Sequence, residues 1–143
     1  PVSRLSEWFR ATDGDVYAVS PIVAEPFNEI ATELLESGVE IEYVIDRSVL
    51  ERSRERYTEE LAFGRDHDRI DIYVHSEPLE VGIVVDDSRC CVVAYDDDGN
   101  IRATLEASDD ATRAWAMDAY ERRRERAEPI GAVLDERLAS NAD

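Results

Sequence analysis

Two histidines are the side chains of this sequence best suited to acid–base or metal chemistry. His75 directly follows an apolar run that ends at Val74, and His67 lies in the segment Asp66-His67-Asp68. A zinc site needs several histidine or cysteine ligands at fixed spacing. An Asp-His-Asp segment is also expected by chance in a chain with 34 acidic residues. We therefore predict no metal and no cofactor, and the simpler interpretation of each histidine is a surface or packed residue.

Other segments that superficially resemble functional motifs have simpler explanations. The acidic run Asp96–Asn100 is too short for a calcium loop and lacks the closing glutamate of such a loop. Ser20 and Ser48 have no Gly-x-Ser-x-Gly context, and the sequence contains no glycine-rich phosphate loop. We therefore predict no catalytic residue and interpret the acidic run as a turn.

A basic cluster lies in the longest predicted helix, at Arg122–Arg124. On a helix these side chains fan around the axis. Asp118 lies four residues before Arg122, and Glu121 lies three residues before Arg124, which are the spacings of helical ion pairs. The pattern favours a solvated, ion-paired face over a nucleic-acid patch, and a patch that faces a protein partner stays open.

Alternating strand and helix patterns must position the polar residues named above. The predicted strands are residues 16–19, 39–45 and 70–74, and the predicted helices are residues 26–37 and 49–63. Gly38 is expected to end the first of these helices in the C′ position. Glu40 and Glu42 alternate with apolar residues, which indicates a strand with one face toward water. Two strand–helix–strand units in succession predict parallel strands.

A meander of three further strands is predicted to continue the sheet and lead into a long helix. Its strands are Val81–Val85, Cys90–Tyr95 and Ile101–Leu105. The dipeptide Asp98-Gly99 favours a tight hairpin, and Asp109 is typical of a helix N-cap. The helix is predicted to run from Asp109 to about Glu128, where Pro129 stops it, and a short amphipathic helix follows at residues 132–138.

These elements predict the α/β fold class. The predicted architecture is a single mixed sheet, β-α-β-α-β followed by an antiparallel meander, with packed helices and a long C-terminal helix. With 143 residues, the chain is long enough for one domain with a real core. We divide it into an N-terminal helix or linker at residues 1–15, an α/β domain at residues 16–130, and a short helix and tail at residues 131–143.

Polar residues follow each of the three predicted parallel strands, and open parallel sheets bind ligands at the carboxyl ends of their strands. The candidate ligand-binding residues are Ser20, Pro21, Asp46, Arg47, His75 and Ser76. Their hydroxyl, carboxylate, guanidinium and imidazole groups suit a small polar ligand. One alternative is that Ser20, Asp46 and Ser48 only cap helices. Another is a small hydrolase or transferase that uses His75 with Asp46.

The charge of the chain is extreme, at −18, and every one of its 16 basic residues is arginine. Its regular apolar runs argue against disorder and favour a folded protein from a high-salt cytoplasm, where salt screens carboxylate repulsion. An acidic protein from a low-salt cell is the alternative. The charge should repel nucleic acid. Cys90 and Cys91 fall on opposite faces of a predicted strand, which indicates a reduced protein. No apolar run approaches the ~20 residues of a membrane span.

The order of these elements resembles the C-terminal domain of archaeal winged helix-turn-helix regulators, a family common in halophiles and named for the middle domain of a methanogenesis regulatory protein. The segments that carry the resemblance are Val19-Ser20-Pro21, Gly38–Ile45 with Val49-Leu50, Ile72-Tyr73-Val74, Glu77-Pro78-Leu79, Gly82–Asp87, Ala94–Gly99, Trp115-Ala116, Tyr120 and Ala127-Glu128-Pro129. Together they cover about residues 16–130.

The resemblance implies a non-enzymatic regulatory domain that senses a small effector, forms a homodimer, or does both. DNA would be bound by a winged-helix domain that precedes Pro1. The candidate dimer-interface residues are Trp8, Phe9, Trp115 and Tyr120. A dimerisation module without a ligand is a further alternative. The family is also akin to phospholipase D-like and sugar-sensing regulator domains, but the His-x-Lys pair of phospholipase D catalysis is impossible in a chain without lysine.

Overall fold

A seven-stranded mixed sheet forms the centre of the computed structural model, which describes residues 7, 11, 14–21, 33–34, 36–56 and 69–133, with only the backbone at residues 53–56. Its strands are β1 (Val16–Val19), β2 (Ile41–Asp46), β3 (Ile70–His75), β4 (Val81–Val85), β5 (Cys90–Tyr95), β6 (Ile101–Ala107) and β7 (Ala127–Pro129). Helices α1 (Arg47–Arg56) and α2 (Asp110–Glu125) pack on the sheet, and residues 130–133 begin a further helical segment. The predicted α/β class and single mixed sheet are confirmed. The helix predicted at residues 26–37 and the second half of that predicted at 49–63 lie largely outside the described residues.

The strand order β6-β5-β4-β1-β2-β3-β7 combines a parallel centre with antiparallel flanks. Strands β1, β2 and β3 pair in parallel, as two successive strand–helix–strand units predict. The meander β4–β5–β6 is antiparallel and joins the sheet at β1. β1 therefore has a neighbour on each side, and its residues Val16 and Val19 are buried in core clusters on opposite faces of the sheet.

Both faces of the sheet are covered, because alternate strand residues lie in different core clusters. Tyr43 packs with Cys91 and with the buried residues of α1 on the face that we call the α1 face. Val44 and Cys90 pack with α2 on the opposite face, the α2 face. Cys90 and Cys91 therefore point to opposite faces, as predicted, and both are buried free thiols.

The prediction that β2 turns one face to water is wrong. Val44 lies on the same face of β2 as Glu42 and is completely buried. The reason is that α2 packs over this face, with Tyr120 in the same core cluster as Val44. An alternating pattern of apolar and acidic residues is ambiguous here because a long side chain such as glutamate can reach a partner at the margin of a covered face.

The turn between β4 and β5 anchors the start of α2. Asp86 is completely buried and accepts the backbone N–H groups of Ser88 and Arg89, each at 3.0 Å. Its backbone carbonyl accepts a hydrogen bond from Nε of Arg113 in α2 at 2.8 Å. The helix itself begins as predicted, because the Asp109 carboxylate accepts the N–H of Thr112 at 2.9 Å as an N-cap.

The end of α2 differs from the prediction. The helix stops at Glu125 rather than near Glu128, and residues Ala127–Pro129 form β7, which is antiparallel to β3. Pro129 fits this strand because β7 is at the sheet edge, where a missing N–H is tolerated. Helical periodicity could not reveal β7, because its three residues have no strand pattern of their own.

Two glycines that the sequence places at chain reversals adopt positive φ angles. Gly99 has φ +83° in the β5–β6 turn, and Gly38 has φ +94° before β2. The Asp96 carboxylate closes the first of these turns by accepting the N–H groups of Asn100 at 2.9 Å and Asp98 at 3.0 Å. These hydrogen bonds lower the pKa of Asp96. The acidic run is therefore a turn, as predicted. Within the described residues, no helix has both the length and the hydropathy needed to cross a bilayer.

Candidate functional site

The carboxyl ends of β1, β2 and β3 lie at one edge of the sheet, where the candidate ligand-binding residues were placed. Asp46 is the last residue of β2, and its register partner in β3 is His75. Asp46 is 3% exposed and His75 is 6% exposed. The fold therefore brings side by side the two residues that the hydrolase alternative combines.

Both carboxylate oxygens of Asp46 are engaged by the surrounding chain. Oδ1 accepts the N–H of Val49 at 2.9 Å and the hydroxyl of Ser48 at 3.0 Å, which caps the start of α1. Oδ2 accepts the N–H of Leu79 at 2.9 Å, which fixes the segment between β3 and β4. Asp46 thus has the capping role considered among the alternatives, and it also joins β2 to the Leu79 segment.

The ring of His75 is held by the backbone that follows β3. Its Nδ1 lies 2.8 Å from the carbonyl oxygen of Glu77 and 3.1 Å from the Glu77 nitrogen. A protonated Nδ1 donates to the carbonyl, and an unprotonated one accepts the N–H, so each tautomer has one partner there. Every buried side-chain nitrogen and oxygen within the described residues has a hydrogen-bond partner. Asp46 and His75 are therefore framework residues of this edge.

Ser20 lies at the same edge but on the opposite face. Its N–H donates to the carbonyl of Val44 at 3.0 Å and continues the β1–β2 ladder. Its hydroxyl forms a hydrogen bond with Tyr43 on the α1 face, whereas alternation along β2 and β3 places Asp46 and His75 on the α2 face. Burial raises the pKa of Tyr43 by more than this hydrogen bond lowers it.

Exposed groups surround the buried framework. Arg47 and Ser76 are exposed and Pro21 is half-buried. Arg52, which sequence analysis missed, donates from its guanidinium to the carbonyl of Pro21 at 3.3 Å and from Nε to the carbonyl of Ser48 at 3.3 Å. It therefore joins α1 to the end of β1. The four-residue spacing from Ser48 is a sequence signal for the second contact, but nothing in the sequence signals the first.

The candidate dimer-interface residues divide into three groups. Trp115 is 58% exposed and stays a candidate. Tyr120 is only 1% exposed, because it is part of the core under α2, so it is corrected to an internal residue. Trp8 and Phe9 lie outside the described residues, as does His67.

Tyr120 belongs to a polar cluster that sequence analysis did not anticipate. This Tyr120 cluster consists of Tyr17, Glu42, Tyr73, Tyr120 and Arg124. The Tyr120 hydroxyl donates to the Glu42 carboxylate, and Nε of Arg124 lies 3.4 Å from the same carboxylate. The Arg124 guanidinium also lies 3.3 Å from the centre of the Tyr73 ring, a cation–π contact. The Tyr17 and Tyr120 rings are 5.5 Å apart, centre to centre.

This cluster has a structural role, since it joins α2 to β1, β2 and β3. Burial and the hydrogen bond to Glu42 raise the pKa of Tyr120, so its hydroxyl stays protonated as a donor. Arg124, which the helical spacing pairs with Glu121, instead folds onto the sheet. The predicted pair of Asp118 and Arg122 is present on the exposed side of α2.

A shallow cavity of about 160 Å³ opens where β3 meets β7. Its lining residues are Ile70, Asp71, Ile72, Tyr73, Pro129, Ile130 and Gly131. It lies toward the start of β3, away from His75 at the end of that strand. Among the described residues, no group of three or more His, Cys, Asp or Glu side chains is placed to hold a metal ion.

The described residues form an α/β domain whose mixed sheet has a parallel centre. Asp46 and His75, at the ends of two parallel strands, are engaged in internal hydrogen bonds. The family model described as "Methanogenesis regulatory protein FilR1, middle domain" matches residues 1–126. The chain belongs to this family, which is defined by the middle domain of a regulatory protein. The resemblance seen in the sequence is confirmed to that extent. No curated protein sequence matches the chain.

Three solved structures share the fold, each at 11% sequence identity. TrmBL2, described as an archaeal chromatin protein with a novel mode of DNA binding, superposes with a TM-score of 0.71 over 89% of this chain and 49% of that one. Nuc, a phospholipase D family member from Salmonella typhimurium, superposes with a TM-score of 0.65 over 90% of this chain and 89% of that one. Phosphatidylserine synthase from Haemophilus influenzae superposes with a TM-score of 0.62 over 87% of this chain and 36% of that one. The chain thus spans about half the length of TrmBL2.

Proposed function

We propose that this domain is the non-enzymatic regulatory part of a transcription regulator and binds a small polar effector at the carboxyl ends of β1, β2 and β3. The observation that carries the proposal is the register pairing of Asp46 with His75 beside the exposed Arg47 and Ser76. Ends of parallel strands are the usual ligand sites of open α/β sheets. Membership of the regulator family supports the same role.

The effector would contact the exposed groups, and the buried groups would hold them in place. Arg47 offers a guanidinium that suits a carboxylate or phosphate, and Ser76 offers a hydroxyl that can donate and accept. Asp46 caps the helix that carries Arg47, and His75 holds the backbone at Glu77, next to Ser76. The internal hydrogen bonds of these two residues therefore preorganise the edge.

A non-enzymatic role is favoured over a hydrolase that uses His75 and Asp46. A catalytic His–Asp pair needs the carboxylate to accept from one ring nitrogen while the other ring nitrogen faces the substrate. Here the Asp46 oxygens accept from Val49 and Leu79, and Nδ1 of His75 lies against Glu77. Likeness to phospholipase D-type structures is a likeness of fold and carries no activity.

DNA would be bound by a winged helix-turn-helix domain that precedes this one, because a domain with a net charge of −18 repels phosphates. A homodimer would match the two-fold symmetry of an operator. The acid excess favours a salt-rich cytoplasm as the setting.

Effector binding is tested by thermal-shift measurements in molar KCl with panels of sugar phosphates, carboxylic acids and nucleotides. We expect one chemical class to raise the melting temperature. Arg47→Ala should abolish that shift, and Arg122→Ala, a matched change at an exposed position on α2, should preserve it. A panel without a hit would contradict effector binding and favour a dimerisation module without ligand. Turnover of a compound that is lost in His75→Ala would overturn the non-enzymatic role.

A further inference from the structure

We infer that β6 pairs with β6 of a second copy of this chain, antiparallel and about a two-fold axis at Thr104, so that two sheets join into one. This inference deepens the homodimer part of the proposed function by naming the surface. It does not depend on effector binding. Three observations support it: β6 is an exposed edge, its residues alternate between the two faces of the sheet, and its charged residues follow a particular order.

The two edges of the described sheet differ in their capacity to pair. β7 has three residues and contains Pro129, which removes an N–H donor. β6 has seven residues without proline or glycine, and its five central residues are exposed. No other described strand pairs with the outer side of β6. Such an edge presents a row of backbone donors and acceptors to another chain.

The faces of β6 limit the registers that a second copy can adopt. Thr104 and Glu106 pair with Val93 and Cys91 on the α1 face. Leu105 pairs with Val92, and Ala107 belongs to the core cluster on the α2 face. A two-fold axis perpendicular to the sheet keeps each residue on its own face, so the axis must pass through a residue rather than between two residues.

One register matches the charges of β6. With the axis at Thr104, Arg102 lies opposite the partner's Glu106, and Leu105 lies opposite the partner's Ala103, each pair occurring twice. An axis at Ala103 or at Leu105 would place a charged residue opposite Thr104 instead. Opposite charges directly across an antiparallel pair are stabilising. Glu106 also interacts within its own chain, and an ionised carboxylate can accept hydrogen bonds from more than one donor.

The α2 face supplies the apolar part of the interface. Leu105 is 56% exposed and Trp115 is 58% exposed, and these are the large apolar side chains that the described residues leave most exposed. Pairing places both copies of Leu105 next to the two-fold axis, with one α2 helix on each side. The register shift between Ala94 and Tyr95 leaves Arg102 without a partner in β5 and puts Ile101 with the α1-face cluster. Regular pairing with the second copy is therefore centred on residues 103–105, and Arg102 and Glu106 meet at its ends.

Disulfide trapping tests the position of the axis. In Thr104→Cys the two thiols lie directly opposite, with Cα atoms about 4.5–5.5 Å apart, within the disulfide range. In Ala103→Cys the two cysteines are offset by two residues along the paired strands, so their Cα atoms lie more than about 7 Å apart, beyond the disulfide range. We expect mild oxidation to cross-link Thr104→Cys at least ten-fold faster than Ala103→Cys. Equal rates, or a faster Ala103→Cys reaction, would overturn the inference.

A charge exchange tests the pairing without a covalent bond. Dimer dissociation constants are measured by analytical ultracentrifugation in the lowest KCl at which the chain stays folded. We expect Arg102→Glu and Glu106→Arg each to raise the dissociation constant about ten-fold, and the double variant to return within about three-fold of wild type. Arg122→Glu on α2 changes net charge as Arg102→Glu does and should leave dimerisation unchanged.

The outcomes separate this inference from effector binding. β6 pairing is overturned if the wild-type chain is monomeric, or if neither Arg102→Glu nor Glu106→Arg changes the dimer dissociation constant. Neither result affects the thermal-shift test of effector binding. Conversely, if no metabolite raises the melting temperature, the test of β6 pairing is unaffected, because it depends only on the ultracentrifugation and cross-linking results.

Discussion

The hydroxyl of Tyr120 in α2 donates a hydrogen bond to the carboxylate of Glu42 in β2, across a separation of 78 residues. Arg124, one helical turn later, lies 3.4 Å from the same carboxylate. Glu42, a residue that the sequence pattern assigns to water, therefore helps to join α2 to the parallel centre of the sheet. The same helix covers the face on which Asp46 and His75 lie.

Replacing Tyr120 with phenylalanine should destabilise the fold while keeping its packing. The variant removes a hydrogen bond to a charged group that is partly buried, and such bonds contribute about 1.5–3 kcal/mol. We expect the free energy of unfolding, measured by urea denaturation followed by circular dichroism, to fall by about that amount. Tyr17→Phe is the matched control, because the described structure gives its hydroxyl no hydrogen bond, and it should change stability by less than about 0.5 kcal/mol. Equal effects of the two variants would show that the Glu42 contact contributes little.

Replacing Asp46 with alanine should lower the free energy of unfolding by more than the loss of a helix cap alone. The variant removes the cap of α1, worth about 1 kcal/mol, and leaves the buried N–H of Leu79 without its acceptor, which costs a further ~1–3 kcal/mol. The same urea titration should therefore show a loss of about 2–4 kcal/mol. Ser48→Ala keeps the carboxylate and should lose less than about 1 kcal/mol. A loss of under about 0.5 kcal/mol in Asp46→Ala would refute the anchoring role.

Both cysteines should be inert in the native chain. Burial, with a smaller contribution from Glu106, raises the pKa of Cys91 to about 12. Burial, followed by the nearby Asp109, also raises the pKa of Cys90. The reactive thiolate is therefore scarce near pH 8. We expect a thiol reagent to label no cysteine in folded protein and two in urea. Rapid labelling of one native thiol would mean that the β5 core opens readily.

Salt should stabilise the chain through screening. With a net charge of −18, the compact state suffers self-repulsion, and the screening length falls from about 10 Å at 0.1 M salt to about 3 Å at 1 M. We expect the melting temperature to rise by about 5 °C or more between 0.1 and 2 M KCl, which for a chain of this size is roughly 2 kcal/mol. A neutral osmolyte at the same osmolality should give a smaller rise. A flat or falling melting temperature in KCl would favour the low-salt alternative.

The features that were predicted correctly from the sequence are those that depend on residues close together in the chain. β1, β4 and β5 have the predicted bounds, and the cap at Asp109 and the turn at Gly99 are where the sequence places them. These features depend on backbone preferences and hydrogen bonds within a few residues. By contrast, β7 exists because β3 offers it an edge, and no pattern within three residues encodes that.

The candidate site shows the same division. The sequence placed Asp46 and His75 at strand ends, and the parallel register then made them neighbours. That Asp46 binds the N–H of Leu79, that Arg52 reaches the carbonyl of Pro21, and that the Ser20 hydroxyl turns to the opposite face were not predictable. Each of these facts involves a partner brought close by the chain's path or a face fixed by the strand register.

The sequence by itself determined the α/β class, the parallel units followed by a meander, and the caps and turns, because each follows from periodicity or from residues close together in the chain. The regulator family was recognised by resemblance to known sequences. Only the tertiary structure decided that α2 covers the Glu42 face, that Tyr120 is internal and that β6 is left as an exposed edge. The physical reason is that burial and strand pairing depend on which distant segment occupies a given surface, and a one-dimensional pattern contains no record of that choice.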